Sequence, residues 1–297
     1  MSTTQALRRL VEQGEFLHIP SVYDALGGRL IESVGFKAGY VGGFVTGAAL
    51  AISEPLLSMT EQIDLAASVA SKTSIPILAD AGAGWGDALH TMRTVREFIR
   101  AGIAGVHLED QLFPKRAHYH KYVAHVIPVQ EYVEKIDYAC RERNKVDPDF
   151  VVIARTDACR TQGVDEAVAR LNAAAEVGAD LGLLFPRNRE EAERAPRESK
   201  LPLIYVQSLG NRDDRPLFSA VDLKAMGYAG CIEAQFMLCT AFHFVERAAR
   251  ELLLTGAYQG MTKADYVDSR QKVEDLIGLD DLYAVESATV EARPVNA

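Results

Sequence analysis

The sequence has few cysteines, no excess of positive charge and no long apolar run. Its four cysteines lie far apart, without a CxxC pair, which argues against a disulfide framework and against a structural zinc site. The formal net charge of −9 disfavours electrostatic attraction to nucleic acid or an anionic membrane. No stretch approaches the ~20 apolar residues of a membrane span, and the N-terminus lacks a signal peptide. We therefore expect a cytoplasmic protein with neither nucleic acid nor membrane as a partner.

What the sequence does contain is a repeated alternation of short apolar runs and longer segments with helical spacing. The predicted strands are Phe16–Ile19, Ala38–Gly42, Ile75–Asp80, Gly105–Glu109, Phe150–Arg155, Leu181–Phe185, Leu203–Val206 and Ala229–Glu233. Eight such repeats in 297 residues favour a closed (β/α)8 TIM barrel, an α/β fold. An open doubly wound sheet is the alternative, but no GxGxxG follows the first strand.

The C-terminal part follows a different pattern. Residues 262–287 predict one or two helices and no further strand. We therefore expect a barrel domain over residues 1–256. A helical extension over residues 257–297 would pack on the barrel or on a neighbouring subunit.

Charged and polar side chains follow the predicted strands directly. These residues are Asp80, Glu109, Asp110, Arg155, Asp157, Arg187, Gln207 and Glu233. Active groups of TIM barrels collect at the C-terminal strand ends, so we expect these side chains to share one mouth. Arg187 and Glu233 are accordingly predicted to contact substrate.

Two carboxylates in this set, Asp80 and Glu109, suit a hard divalent cation. Mg²⁺ prefers oxygen ligands and keeps several waters, so one or two protein carboxylates suffice; Mn²⁺ is the alternative metal. Arg155 provides a fork for a substrate carboxylate or phosphate. The combination predicts a small polyanionic substrate and a metal that stabilises an enolate.

Two glycine-rich segments and one long loop lie beside the same strand ends. The segments are residues 40–44 (YVGGF) and 81–86 (AGAGWG), where backbone can approach a ligand closely. The loop over residues 110–128 is rich in His, Tyr, Lys and Arg and shows no periodicity. Because such long loops are usually functional or disordered, we expect a lid over the substrate.

Three motifs carry a resemblance to a known family. They are residues 77–86 (ILADAGAGWG), residues 104–111 (AGVHLEDQ) followed by Lys115-Arg116, and residues 152–157 (VIARTD). Together they resemble the isocitrate lyase/phosphoenolpyruvate mutase superfamily, and most closely its 2-methylisocitrate lyases. The resemblance implies a Mg²⁺-dependent barrel that cleaves or forms C–C or P–C bonds of 2-oxo or 2-hydroxy acids through an enolate. It also implies a homotetramer, a dimer of dimers, in which neighbours exchange a C-terminal helix.

The resemblance assigns roles to particular residues. It makes Asp80 the principal metal ligand, Glu109 a ligand of the metal or of its water, and Arg155 the substrate-carboxylate anchor. The positions that cradle a carboxylate are Tyr40, Gly42 and Gly43.

This sequence also departs from the family's pattern. Gly82 stands where the family has a second aspartate, and Ala117 stands where the lyases have a catalytic cysteine. Arg187 replaces a glutamate, and a further acidic position corresponds loosely to Ser53 or Glu54. The predicted catalytic residues are Lys115 and Arg116 with His118, Tyr119 and His120, and one of the last three would replace the thiol as proton donor. A neutral imidazole suits proton transfer near pH 7.

Three functions remain open at this point. The first is a C–C lyase or decarboxylase acting on a small 2-oxo or 2-hydroxy di- or tricarboxylic acid. The second is a hydrolase or mutase acting on a phosphonate or an oxaloacetate-like acid, a branch that does not use the thiol. The third is a barrel that binds a metabolite without turnover, since a fold and its activity can separate.

Overall fold

The barrel is visible in the pairing of the strands. The computed structural model describes residues 1–117 and 123–292. Its strands are β1 Leu17–Pro20, β2 Gly39–Val41, β3 Ile77–Asp80, β4 Gly105–Glu109, β5 Val151–Arg155, β6 Leu181–Leu183, β7 Leu203–Gln207 and β8 Gly230–Glu233. Every neighbouring pair is parallel, in the order β1-β8-β7-β6-β5-β4-β3-β2. A parallel bridge between Ser21 and Tyr40 joins β1 to β2, so the predicted TIM barrel is confirmed.

Helices follow the strands and continue beyond the barrel. They are α1 Thr3–Glu12, α2 Ala25–Val34, α3 Gly43–Ala49, α4 Met59–Ala70, α5 Ala88–Arg100, α6 Val129–Val146, α7 Cys159–Gln162, α8 Val164–Glu176, α9 Arg189–Glu198, α10 Ala220–Met226, α11 Phe236–Thr255, α12 Lys263–Ile277 and α13 Leu279–Ala288. Local signals set their ends: Ser58 and Glu61 form a capping box before α4. Gly35 ends α2 with a φ of 105°, a conformation that a residue with a Cβ adopts only at a cost.

Alternate strand residues separate the barrel interior from its outer layer. The interior cluster contains Leu78 and Ile153, whereas the cluster between strands and helices contains Ala79 and Cys231. Since side chains alternate with a period of two, the parity of a strand's last residue decides which face it joins. The alternation therefore determines which charged side chains at the strand ends lie on the same face.

The chain divides into two compact units, the first over Met1–Leu238 and the second beginning at Cys239. Helices α11, α12 and α13 bury no residue in the single chain. Among the described helices, none is long and apolar enough to cross a membrane. The boundary predicted at residues 256 and 257 stays a prediction.

Candidate active site at the C-terminal mouth of the barrel

An acidic pair and an arginine meet at the ends of β3, β4 and β5. Asp80 follows Leu78 and Arg155 follows Ile153 by two residues, so both point into the barrel with Glu109. Arg155 Nη1 lies 3.1 Å from Glu109 Oε2 and 3.9 Å from Asp80 Oδ2. The three side chains are 5%, 0% and 8% exposed for Asp80, Glu109 and Arg155. The structure therefore brings the predicted metal ligands and the predicted anion anchor together.

Lys115 reaches this cluster from the loop after β4. Its Nζ lies 2.5 Å from Glu54 Oε1 and 3.0 Å from Glu109 Oε1, and its side chain is 9% exposed. Glu54 begins a short 3-10 turn after α3, and its side chain is 7% exposed. Among the described residues, Glu109 Oε1 accepts no hydrogen bond of good geometry, although it is fully buried. Two buried carboxylates, those of Glu54 and Glu109, thus contact the same ammonium group.

Backbone amides fix the carboxylate of Asp80. The N–H of Gly82 donates to Asp80 Oδ1 at 2.7 Å, and the N–H of Gly43 donates to Oδ2 at 3.2 Å. A Cβ on Gly43 would lie 3.0 Å from Glu54 Oε1 and 3.1 Å from Asp80 Oδ2. Glycine at position 43 is therefore what lets these two carboxylates approach the same point.

A histidine and a tyrosine lie below the acidic pair. Tyr40 Oη and His107 Nε2 share a buried hydrogen bond of 2.7 Å, and the two rings stack with centroids 5.6 Å apart. His107 Nδ1 lies 3.6 Å from Asp80 Oδ1. Burial, with Arg155 and Lys115 nearby, lowers the pKa of His107 to about 3. The imidazole is therefore neutral at pH 7, and Nε2 accepts from the tyrosine when Nδ1 carries the proton.

Two side chains hold the guanidinium of Arg155 in place. Asp157 accepts from its Nε at 3.0 Å and from its Nη2 at 3.3 Å, and Phe185 lies under it at 4.9 Å. Burial alone lowers the pKa of Arg155, but Asp157, Glu109 and Asp80 outweigh burial and raise the pKa well above its usual value. The guanidinium stays charged with a fixed orientation, as an anion anchor requires.

A cavity of about 390 Å³, counted to its open mouth, lies beside Asp80 and Lys115. Its other walls include Glu54, Gly82 and Trp85. Trp85 is fixed by a hydrogen bond from its Nε1 to the carbonyl of Leu57. A small organic acid that enters this cavity meets carboxylates and an ammonium group on one side and an indole on another.

Other predicted site residues lie apart from this cluster. Arg187 donates to Asp213 Oδ2 at 2.5 Å, and Arg215 pairs with the same carboxylate, so the two guanidinium groups keep one positive charge. Glu233 follows Cys231 by two residues and points to the outer face, where it contacts His18. Glu233 is therefore not among the side chains that face the acidic pair, and a substrate contact by Arg187 stays a prediction.

The loop after β4 is described only in part. Arg116 is exposed, and the proposed proton donors His118, Tyr119 and His120 lie outside the described residues. The base of the loop is an antiparallel bridge between Gln111 and Val126. Whether the loop acts as a lid stays a prediction.

Several side chains that support the site were missed or left open by the sequence analysis. Glu54 was only one of two loose correspondences, and His107 was not among the predicted site residues. Lys135, buried in α6, donates to the carbonyl of Ala83 and supports the glycine-rich segment. Parity gives a signal for His107, since it precedes the inward-facing Glu109 by two residues. No sequence signal pairs Lys135 with the segment.

The charge of the cluster fits a divalent metal. Among the described residues, four carboxylates lie beside two cations, a net charge of −2: Asp80, Glu109, Glu54 and Asp157 against Lys115 and Arg155. Uncompensated charge is costly in a buried site, and Mg²⁺ would neutralise the remainder through oxygen ligands. The donor set therefore suits the predicted cation.

Comparison with known proteins identifies the family. The family model described as phosphoenolpyruvate phosphomutase matches residues 7–253. The chain belongs to this family. The predicted membership of the isocitrate lyase/phosphoenolpyruvate mutase superfamily is confirmed.

Three members of the superfamily show how similar the chain is to known proteins. It is 33% identical to 2,3-dimethylmalate lyase from Eubacterium barkeri over 293 residues, covering 96% of this chain and 98% of that protein. A crystal structure of 2,3-dimethylmalate lyase matches with a TM-score of 0.88 and 30% identity, over 100% and 99% of the two chains. Oxaloacetate acetylhydrolase bound to 3,3-difluorooxalacetate matches with a TM-score of 0.87, 31% identity and 97% coverage of each chain. Phosphonopyruvate hydrolase bound to oxalate and Mg²⁺ matches with a TM-score of 0.83 and 26% identity, over 98% and 100% of the two chains.

The structure shows the surroundings of positions 82 and 117, where Gly82 and Ala117 differ from the aspartate and the cysteine of the lyase pattern. Gly82 has a φ of 48°, and a Cβ there would meet no atom within 4 Å. The space for an acidic side chain thus exists beside Asp80, but this chain leaves it open. Ala117 is exposed and brings no thiol to the mouth.

Proposed function

We propose that this protein is a Mg²⁺-dependent carbon–carbon lyase or decarboxylase. Its substrate would be a small 2-oxo or 2-hydroxy di- or tricarboxylic acid that reacts through an enolate. The observation that carries the proposal is the convergence of Asp80, Glu109 and Arg155 at the mouth of the barrel, with Lys115 beside them. This class of reaction is also the one named for the relative 2,3-dimethylmalate lyase.

Asp80 and Glu109 would hold the metal, and Glu54 would support one of its waters. Mg²⁺, when bound, supplies positive charge that stabilises the negative charge developing on the substrate oxygen as the bond breaks. The backbone amides of Gly82 and Gly43 keep Asp80 oriented, so its oxygens need little reorganisation.

Arg155 would bind a substrate carboxylate through the guanidinium N–H groups that neither Asp157 nor Glu109 occupies. The backbone around Gly42 and Gly43, with Tyr40 below it, would orient the same anion. Lys115, which contacts Glu109 as Arg155 does, would help to balance the substrate's negative charge. The proton donor is proposed among His118, Tyr119 and His120, since Ala117 removes the usual thiol.

A second candidate is hydrolysis of an oxaloacetate-like acid. Ala117 favours it, because protonation by water suffices for a simple enolate, and oxaloacetate acetylhydrolase is a near structural neighbour. For a phosphonate substrate, the relevant cations are Arg187 and Arg215, which share the one carboxylate of Asp213 and so keep one positive charge. A barrel that binds without turnover is the outcome expected if every substrate fails.

We further propose that the enzyme is a cytoplasmic homotetramer, a dimer of dimers in which neighbours exchange C-terminal helices. The helices α11, α12 and α13 expose large apolar side chains, among them Phe242, Leu253 and Tyr283. Such exposure needs a cover in solution. Light scattering coupled to size-exclusion chromatography gives the subunit number, and a monomer would refute the proposal.

The test of function is a substrate panel assayed with Mg²⁺ and with EDTA. The panel contains 2,3-dimethylmalate, 2-methylisocitrate, oxaloacetate and phosphonopyruvate. The products followed are pyruvate or glyoxylate, carbon dioxide, acetate and phosphate, which separate the candidate reactions. Asp80→Ala should abolish Mg²⁺-dependent turnover, whereas Asp64→Ala, an exposed carboxylate on α4, should not. Equal turnover in Asp80→Ala and the wild type would refute the metal role.

A further inference from the structure

The outer face of the barrel carries a second cluster of metal-ligating side chains, formed by His18, Cys231 and Glu233. We propose that this cluster is a site for a zinc-type transition metal, separate from the Mg²⁺ site. It contains one imidazole nitrogen, one thiol sulfur and one carboxylate oxygen, which lie within 4.8 Å of one another.

Strand geometry explains why these three side chains meet. Cys231 and Glu233 are two residues apart on β8, so they share one face of the strand. His18 lies on the neighbouring strand β1, paired directly with Cys231. Two ligands at alternate positions of one strand and a third across the ladder form a triangle that a rigid sheet holds in place. Because β1 and β8 lie at opposite ends of the sequence, cysteine spacing could not reveal this cluster.

The distances are close to those of a coordinated ion. His18 Nε2 lies 2.9 Å from Glu233 Oε1, and Cys231 Sγ lies 3.9 Å from the same oxygen. Ligand atoms of a tetrahedral zinc site are roughly 3.3 to 3.8 Å apart, given metal–ligand bonds of about 2.0 to 2.3 Å. Small side-chain rotations would therefore complete the site. Phe36 packs edge-on against the His18 ring at 5.6 Å and limits its movement.

The chemistry of the donors selects the class of metal. Sulfur and imidazole favour Zn²⁺ and its neighbours over Mg²⁺, which prefers oxygen alone. The His18 side chain is 42% exposed and that of Glu233 19%, so water can reach a fourth position. Three protein ligands with one open position are typical of an exchangeable or catalytic zinc rather than a closed structural one.

Binding must displace a proton from sulfur. Burial, with Glu233 nearby, raises the pKa of Cys231 to about 12, so the free thiol is protonated at pH 7. When the metal–sulfur bond forms, the S–H bond breaks and its proton passes to the buffer. Without a metal, the cluster is simply a His18–Glu233 hydrogen bond beside a buried thiol.

The test uses Co²⁺ as a spectroscopic probe on the full-length protein, washed with EDTA and then supplied with excess Mg²⁺ to fill oxygen-ligand sites. We expect one Co²⁺ per chain, thiolate-to-metal absorption in the near ultraviolet, and displacement of the Co²⁺ by Zn²⁺. Cys231→Ser should abolish this absorption, and Glu233→Gln and His18→Gln should weaken Co²⁺ binding. Cys140→Ser, another buried free thiol, is the matched control and should keep the absorption.

Two spectroscopic results would refute the proposed metal site. Absence of thiolate absorption in the wild type, or its survival in Cys231→Ser, would overturn the proposal. Circular dichroism checks that each variant is folded; if Cys231→Ser is not, Glu233→Gln and His18→Gln decide, and undiminished Co²⁺ binding by both refutes the site. Mg²⁺-dependent turnover is measured separately, so failure of the zinc site and failure of the proposed lyase activity remain distinguishable.

Discussion

Gly82→Asp offers a direct measurement of how the acidic cluster is balanced. The described carboxylates and cations of the wild-type cluster carry a net charge of −2, and an aspartate at position 82 adds another negative charge next to Asp80. A carboxylate ~6 Å from another interacts by about 3 kcal/mol at an effective dielectric constant of about 20. The left-handed φ of 48° adds about 1 to 2 kcal/mol of backbone strain, and no atom obstructs the new Cβ.

When Mg²⁺ is present, tighter metal binding opposes the destabilisation caused by carboxylate repulsion and backbone strain. Without the metal, we expect Gly82→Asp to lose roughly 2 to 4 kcal/mol of unfolding free energy, after partial compensation by Lys115 and Arg155. With the metal, the added carboxylate should tighten Mg²⁺ binding by at least about tenfold, or ~1.4 kcal/mol. Saturating Mg²⁺ should therefore restore much of the lost stability.

The assay is denaturant unfolding in EDTA and in saturating Mg²⁺, together with a calorimetric Mg²⁺ titration. Gly14→Asp is the matched control, because Gly14 has a φ of 65°, equally open space and a position at the end of α1. It should show the strain and the cost of about 0.3 to 1 kcal/mol for a negative charge at a helix C-terminus, equally in both conditions. An unchanged Mg²⁺ affinity in Gly82→Asp, or equal stability losses in the two variants in EDTA, would refute the assignment of position 82 to the metal site.

Three further substitutions test the groups around the cluster. Arg155→Lys keeps the charge but loses the paired bonds to Asp157, and we expect kcat/KM to fall about a hundredfold, or ~2.7 kcal/mol, in steady-state kinetics; a loss below tenfold would contradict the anchor role. Burial raises the pKa of Asp110 to about 6 in the folded protein, above its unfolded value of about 4. The folded protein therefore holds the Asp110 proton more tightly, and about 3 kcal/mol of stability is lost as the pH rises from about 4 to 6. Asp110→Asn should remove this slope from the unfolding free energy measured against pH, and an unchanged slope would exclude Asp110 as its source. Tyr40→Phe should cost about 1 to 3 kcal/mol in denaturant unfolding, because His107 Nε2 loses its buried partner; no loss would mean that another group replaces the hydroxyl.

Hydrophobic alternation and strand–helix repetition were sufficient to predict the barrel. All eight predicted strands correspond to observed strands, with ends that differ by at most two residues. The short helix α3 was not predicted, because Gly43 and Gly47 lower helix propensity there. Its first residue, Gly43, donates its N–H to the side chain of Asp80. Local sequence does not indicate this tertiary hydrogen bond.

The strand residues of the site can be predicted from their position along each strand, because alternate side chains face the barrel interior. Side chains alternate between the two faces of a strand, so Asp80, Glu109 and Arg155 lie inside the barrel and Glu233 lies outside. All four were nevertheless predicted to share one mouth. Arg187 could not be sorted in this way, because it lies in a loop after β6. Its partner Asp213 comes from the loop after β7, and no local pattern links the two.

The arrangement also explains how an acidic site can change while its barrel is retained. Asp80, Glu109 and Arg155 are carried by paired strands, so their relative positions are fixed by the ladder that forms the barrel. Glu54 and Lys115 come from loops, and Gly82 follows the end of β3, where a side chain can be lost without disturbing any strand pairing. Removing a carboxylate at position 82 lowers the repulsion that the metal-free site must bear, while Glu54 still approaches Asp80 through the space at Gly43. Substitution at the loop positions can therefore tune metal affinity and proton transfer, whereas substitution of the strand residues would dismantle the site.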